Sequence, residues 1–371
     1  MRKKPKKFLE TDEDLLNEFV TNRNLSPASR KIYSNLIREY TNFHHLSLEK
    51  LIDEADQEEE QRIRQKKRKI KKRILDYRTH IVKNGMAPSN IKNSISKIKT
   101  IYRHYDIEIP NLPPLQLKED RHERITDIPT IEHIQTAVEG TNNKLHKAII
   151  LFMSSSGSAA AETTNLTIQT FLNATQNYHS HPQDLLLALD DMHGQDDIVP
   201  LFEMIRQKTN YPYYTCCTPE ASEAIINYLE ERILNEPTPP ILNSKLFKLK
   251  SKRSLMSIFD RINDRHGWGK GVRYNFFHSH ALRKFNATTI RDVGFANKIQ
   301  GRKSDRITEA YFKTNPELIR QEYMKYIPDL TIRDTEVKVI TPKDYKDLEN
   351  KVNDTEERLK EFDRLLKKLD L

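Results

Sequence analysis

Between Phe277 and Tyr311 the sequence reads FHSHALRKFNATTIRDVGFANKIQGRKSDRITEAY, which gathers His280, Arg283, Lys284, Arg302, Lys303 and Tyr311 in one stretch. These residue types suit chemistry at a phosphodiester. A guanidinium presents a planar fork of donors to phosphate oxygens, an imidazole moves protons near neutrality, and a phenol attacks phosphorus once its proton is removed. No carboxylate cluster nearby suggests Mg²⁺, so charge neutralisation falls to side chains and neither a metal nor a cofactor is expected.

These groups need elements to hold them. Leu282, Phe285, Ile290 and Val293 recur near helical spacing, which predicts a helix with that face inward and a stop at Gly294. His280 and Arg283 stand three apart and are expected on the opposite rim. Gly301 ends a second short segment, and Ser304 with Asp305 is placed to cap a third helix carrying Tyr311.

At these residues the chain resembles the tyrosine recombinase (phage integrase) family, in its prokaryotic or archaeal-type integrases. His280-Ala281-Leu282-Arg283 matches the family's His-x-x-Arg. Gly301-Arg302 stands where the family has Gly-His or Gly-Trp, and Tyr311 follows nine positions after Arg302, at the family's separation. The strands expected over Ile198 to Gln207 and Tyr211 to Cys217, joined at Lys208-Thr209-Asn210, form a hairpin of the kind on which the family carries its catalytic lysine. Lys208 matches that lysine. The resemblance implies that Tyr311 attacks a DNA phosphate to give a 3′-phosphotyrosyl link and that Arg283 stabilises the transition state. It further implies that His280 assists proton transfer, Lys208 protonates the leaving 5′ oxygen, and Arg302 contacts the phosphate. Double-stranded DNA is the implied partner, with a tetramer assembled on two DNA segments.

One departure is serious. The family's first arginine lies in a Gly-x-Arg-x-x-Glu segment, and here Gly157 and Glu162 fit while Ala159 occupies the arginine position, or Ala160 if the register shifts by one. Losing one preorganised donor costs about 10²- to 10³-fold in a site of this type. The sequence therefore belongs to a weakened or noncleaving relative, or carries an alanine introduced to trap uncleaved DNA. The rival reading is a catalytically inactive DNA-binding architectural or regulatory protein on the same fold.

The rest of the chain is expected to deliver this site. Its 371 residues suffice for two domains and an appendage, and a net charge of +9 suits a polyanion. No apolar run is long enough to span a bilayer, and the basic start has no apolar signal core, so a cytoplasmic protein is expected. Cys216 and Cys217, adjacent in a strand, suit neither a structural disulfide nor zinc. His179, His181 and His193 fall in a polar insertion and read as solvated.

Residues 1–115 read as a helical core-binding domain. Thr11 with Asp14 suggests a capping box, Ser26-Pro27 a helix start, and Ile32, Leu36, Tyr40 and Phe43 an apolar stripe. Ile91, Ile95, Ile98, Tyr102 and Tyr105 mark the buried face of a helix begun by Ser89. A basic block, expected to be helical, runs from Arg62 to Arg73 after acids at Asp53 to Glu60. Arg62, Arg64, Lys66, Lys67, Lys71 and Lys72, with Lys92, Lys99 and Arg103, are the candidate phosphate contacts. Residues 116–335 read as a mixed α+β catalytic domain, with helices over Ile131 to Val138, Leu145 to Met153, Asp184 to Met192 and Thr218 to Arg232, and a further strand over Leu166 to Leu172. A last helix starts at Asn315-Pro316-Glu317. In residues 336–371 the apolar series Tyr345, Leu348, Val352, Thr355, Leu359, Phe362, Leu366 and Leu369 is a heptad pattern, expected to form a coiled coil that joins protomers.

Overall fold

A computed structural model describes residues 10–116, 124–302 and 315–333, and the chain divides into two compact units, Met1–His122 and Glu123–Leu371. The first is helical: α1 (Glu10–Asn22), α2 (Pro27–His44), α3 (Leu48–Glu60), α4 (Lys69–Lys83) and α5 (Pro88–His104). Ser26 caps α2 by accepting from the Ser29 amide, with Pro27 in the first turn, and Ser47 caps α3 in the same way. Leu36 and Tyr40 of α2, Ile70, Ile74 and Tyr77 of α4 and Ile91, Ile98 and Tyr102 of α5 pack as one core. The Tyr40 and Tyr102 hydroxyls meet at 3.2 Å inside it. Two local expectations fail here. Thr11 lies inside α1 rather than capping it, and Ile32 is 51% exposed because the buried stripe of α2 runs through Leu36, Ile37 and Tyr40.

The basic block is not one helix. Residues 61–68 turn between α3 and α4, so only Lys69 onward is helical. The acids of α3 supply the reason: Glu59 and Glu108 hold Arg68 at 2.9 and 3.0 Å, and the Glu58 carboxylate accepts from the Lys69 amide at 2.7 Å to begin α4.

The second unit is built around α7 (Lys144–Ser156), whose residues Ala148 to Ser156 are all buried. Helices α6 (Ile131–Glu139), α11 (Pro219–Asn235) and α13 (Ser279–Ile290) pack on it. Its closing serines are satisfied internally: the hydroxyls of Ser154 and Ser155 donate to Leu151 O, and that of Ser156 to Phe152 O. Between α7 and α11 come α8 (Ala160–Asn165), α9 (Ile168–Ala174), α10 (Leu185–Met192) and a hairpin of β1 (Leu201–Arg206) and β2 (Tyr211–Cys216). The strands pair antiparallel with Leu201 opposite Cys216 and Arg206 opposite Tyr211. Then follow α12 (Lys252–Arg265), α14 (Val293–Ile299), α15 (Glu317–Met324) and α16 (Ile327–Leu330).

This unit is more helical than expected, and the two-stranded hairpin is the one sheet among the described residues. Leu166 to Leu172 is not a strand. Thr167 forms an isolated bridge to Lys245 and then caps α9, which buries Ile168, Phe171 and Leu172 at helical spacing. Nor does α13 reach Gly294: it ends at Ile290, where Arg291 adopts a left-handed φ of 60°, and Gly294 lies within α14. Val293 is accordingly 70% exposed instead of facing inward. The heptad series from Tyr345 to Leu369 lies outside the described residues. No helix among the described residues is long and apolar enough to cross a membrane.

Candidate active site

Helix α7 ends at Gly157, whose φ of 63° turns the chain back toward α8. A β-carbon there would overlap the Asn286 amide and stand 2.8 Å from Gln300 Nε2, so the position requires glycine. The last carbonyls of a helix lack partners and carry its negative dipole end. Here they are met from several elements: Ser155 O accepts from Asn286 at 2.6 Å and from the Tyr323 hydroxyl at 3.0 Å, and Ser156 O from Thr215 at 2.9 Å.

Arg283 completes this end of the helix. It is only 2% exposed, and its Nη1 donates to Gly157 O at 2.6 Å while its Nη2 donates to Gln300 O at 2.5 Å. The expected outer-rim position is therefore corrected: α13 turns its arginine inward, because α7 offers it carbonyl acceptors. Gln300 fixes the backbone in return, its side-chain amide donating to Arg283 O and to Asn286 Oδ1, both at 2.9 Å. Burial lowers the Arg283 pKa to about 10, and the positive charge of Arg206 acts in the same direction.

A cleft of about 500 Å³ opens beside this arginine. Ala159, Ala160, His280 and Arg283 share its wall with Lys252 and Asp260 of α12. Ala159 and Ala160, the two positions at which the resemblance calls for an arginine, thus face the same space as Arg283. His280, on the cleft wall, is open to solvent on one side. Desolvation on its other side, reinforced by Lys284, His278, Arg283 and Arg302, lowers its pKa to about 4. It is neutral at physiological pH, able to accept a proton or to donate its single N–H.

Glu162 is buried, and its Oε1 accepts the Gln207 amide at 3.2 Å, which ties α8 to the end of β1. Lys208, the next residue, is exposed at the hairpin turn. Arg302 is exposed just beyond Gly301 and bonded to Asn297 Oδ1 at 3.2 Å; burial of its head group and the charge of Arg206 lower its pKa. Tyr311, Lys303 and the Ser304-Asp305 cap lie outside the described residues.

Sequence reasoning missed Arg206. It is half-buried at the end of β1, and its Nη1 donates to the same Gln300 O at 2.7 Å. The available signal was its place two residues before Lys208 on the hairpin. It also missed Gln300 and Asn286, polar residues that look like surface positions and turn out fully buried.

Of the cations proposed for DNA, Arg62, Arg64, Lys66, Lys67, Lys72, Lys92 and Arg103 are exposed and Lys71 and Lys99 half-buried.

No protein-family model matches the sequence, and a search of curated proteins gives no match. Solved structures do match. A lambda integrase (75–356) dimer bound to a COC′ core site is 14% identical, covering 82% of this chain and 95% of that one, with a TM-score of 0.52. The Tn1549 transposon integrase in complex with a circular intermediate DNA is 14% identical over 80% of this chain and 93% of that one, at 0.48. XerA recombinase is 17% identical over 85% and 98%, at 0.34. Of these three, only the first is similar enough in three dimensions to bear on architecture. The chain has the fold of the tyrosine recombinases.

Proposed function

We propose that this chain is a site-specific DNA recombinase of the integrase type, acting through a 3′-phosphotyrosyl intermediate and weakened by alanine at the first arginine position. The observation that carries the reading is the buried Arg283, which lines with His280 a cleft whose wall also carries Ala159 and Ala160. In this reading the Tyr311 oxygen attacks phosphorus, the bond to the 5′ oxygen breaks, and Lys208 supplies the proton that the leaving oxygen takes up. Arg283 and Arg302 hold the charge on the phosphate oxygens, and His280 assists proton transfer. Attack by the 5′ hydroxyl of a second strand reverses the step and completes exchange. Glu162 supports the site by holding the hairpin that carries Lys208. The first unit grips the duplex through Arg62, Arg64, Lys66, Lys67, Lys71, Lys72, Lys92, Lys99 and Arg103. Four protomers on two DNA segments, joined in part by the heptad segment, form the working assembly.

A nicked suicide duplex carrying the cognate site tests this. Ala159→Arg, or Ala160→Arg if the register is shifted, raises formation of a covalent protein–DNA adduct that survives denaturing electrophoresis without metal, and Tyr311→Phe abolishes it. The second reading, a DNA-binding protein without competent chemistry, is favoured by the two methyl groups where the cleft calls for a cation. Absence of adduct with either restored arginine decides for it.

A further inference from the structure

A phosphate in this cleft needs cationic donors from more than one direction, and the segment leading into α8 offers none at Ala159. We propose that Arg206 supplies the second guanidinium, donating together with Arg283 to one phosphate and replacing from β1 the side chain missing at position 159. This assignment rests on reading the site as one that acts on phosphate.

Three observations converge. Arg206 Nη1 and Arg283 Nη2 donate to a single oxygen, Gln300 O, at 2.7 and 2.5 Å, so the two guanidinium groups lie side by side. Among described residues, these bonds and the one to Gly157 O use two of the five N–H groups of Arg283 and one of those of Arg206. Ample donors remain for an oxyanion. The acceptors are neutral carbonyls, and neither guanidinium forms an ion pair with a described carboxylate; the buried Glu162 acts on Arg283 without a direct bond, one negative charge against two adjacent positive ones, which leaves net positive charge for an anion to neutralise. Finally, the Gln207 amide is bonded to Glu162 in α8, the helix that opens directly after Ala159. Arg206 is therefore anchored beside the segment where the arginine is missing. Lys252 lines the cleft itself, whereas Arg206 adjoins it through Arg283; Lys252, however, stands at the exposed start of α12 and shares no acceptor with Arg283.

The first test is binding of inorganic phosphate to the full chain, followed by ³¹P NMR at low ionic strength. Arg206→Gln weakens it by about tenfold or more, in line with loss of a charge-assisted donor pair. An unchanged affinity, or a larger loss in Lys252→Gln, overturns the assignment. Should Arg206→Gln fail to fold, the unaltered chain is treated with phenylglyoxal and its peptides mapped by mass; phosphate protects Arg206, and undiminished reactivity overturns the proposal. The second test uses nicked duplexes recovered by the unaltered chain from a randomised library. Ala159→Arg raises adduct formation about tenfold more in the Arg206→Gln background than in the unaltered one, because there the two arginines replace each other. Equal gains in both backgrounds overturn the replacement. If phosphate binding depends on Arg206 while no variant forms an adduct, the phosphate site stands and the strand-exchange reading falls.

Discussion

The two units hold their buried and half-buried arginines differently. In the first, Arg73 donates to both oxygens of Glu54, at 3.0 and 3.2 Å, and Arg68 bridges Glu59 and Glu108. Although burial alone raises the Glu54 pKa, bonds from Arg73 and Lys69 hold that carboxyl below its usual range. In the second unit, Arg283 and Arg206 rest on the carbonyls of Gly157 and Gln300. A cation matched by a carboxylate has spent its charge on the fold, whereas one held by neutral dipoles keeps it for an incoming anion. The basic block of the first unit is thus divided: Arg68, Lys69 and Arg73 are tied to carboxylates, and Arg62, Arg64, Lys66, Lys67 and Lys72 stand exposed beside them.

The largest expected effect lies in the second unit. Arg283→Gln lowers adduct formation on the suicide duplex by about 10²- to 10³-fold or more. It also destabilises the chain, because the Gly157 carbonyl loses its donor at a cost of roughly 1–3 kcal/mol, while Gln300 O keeps the bond from Arg206. Thermal unfolding and the adduct assay measure the two losses, and retained adduct formation would break the contrast between the units. A smaller effect is expected from the first unit. Changing Lys66, Lys67, Lys71 and Lys72 to Glu weakens duplex binding and flattens the log–log salt dependence by about 0.9 for each phosphate no longer neutralised. Removing Arg68 or Arg73 instead lowers the unfolding temperature more than the slope. A slope unmoved by the four lysine changes would make the whole block a solvated face.

The smallest effect is a titration. With its folded pKa near 4, below the ordinary value of 6.5, His280 binds fewer protons in the native chain than in the unfolded one between those pH values. Its contribution to stability is therefore present above that window and is lost as pH falls through it. Phosphate binding beside the ring neutralises part of the surrounding positive charge and raises the pKa. Histidine NMR shifts followed against pH, with and without inorganic phosphate, measure both midpoints; an unmoved midpoint would separate His280 from the phosphate.

Much of the framework was legible because it depends on local rules. Ser26-Pro27 begins α2, Thr218-Pro219 begins α11, and the β1–β2 hairpin turns at Lys208-Thr209-Asn210, each through backbone preferences that a few neighbouring residues settle. The spacing of His280 and Arg283 and the alanine at position 159 are likewise properties of order along the chain. Where local signals compete, the reading fails: Leu166 to Leu172 has β-like composition, yet Thr167 caps a helix and the helical apolar spacing wins.

The sequence alone could not show which charges are spent. Arg73 and Arg283 are the same residue type, each directly beside a lysine. Glu54 is distant from Arg73 in the chain, and Gly157 and Gln300 are far from Arg283, so folding alone decides which acceptor each arginine meets. Order along the chain determines the residue types available for phosphate chemistry. Tertiary packing decides that the end of α7 turns Arg283 inward, and that Arg206 comes to share a carbonyl oxygen with it.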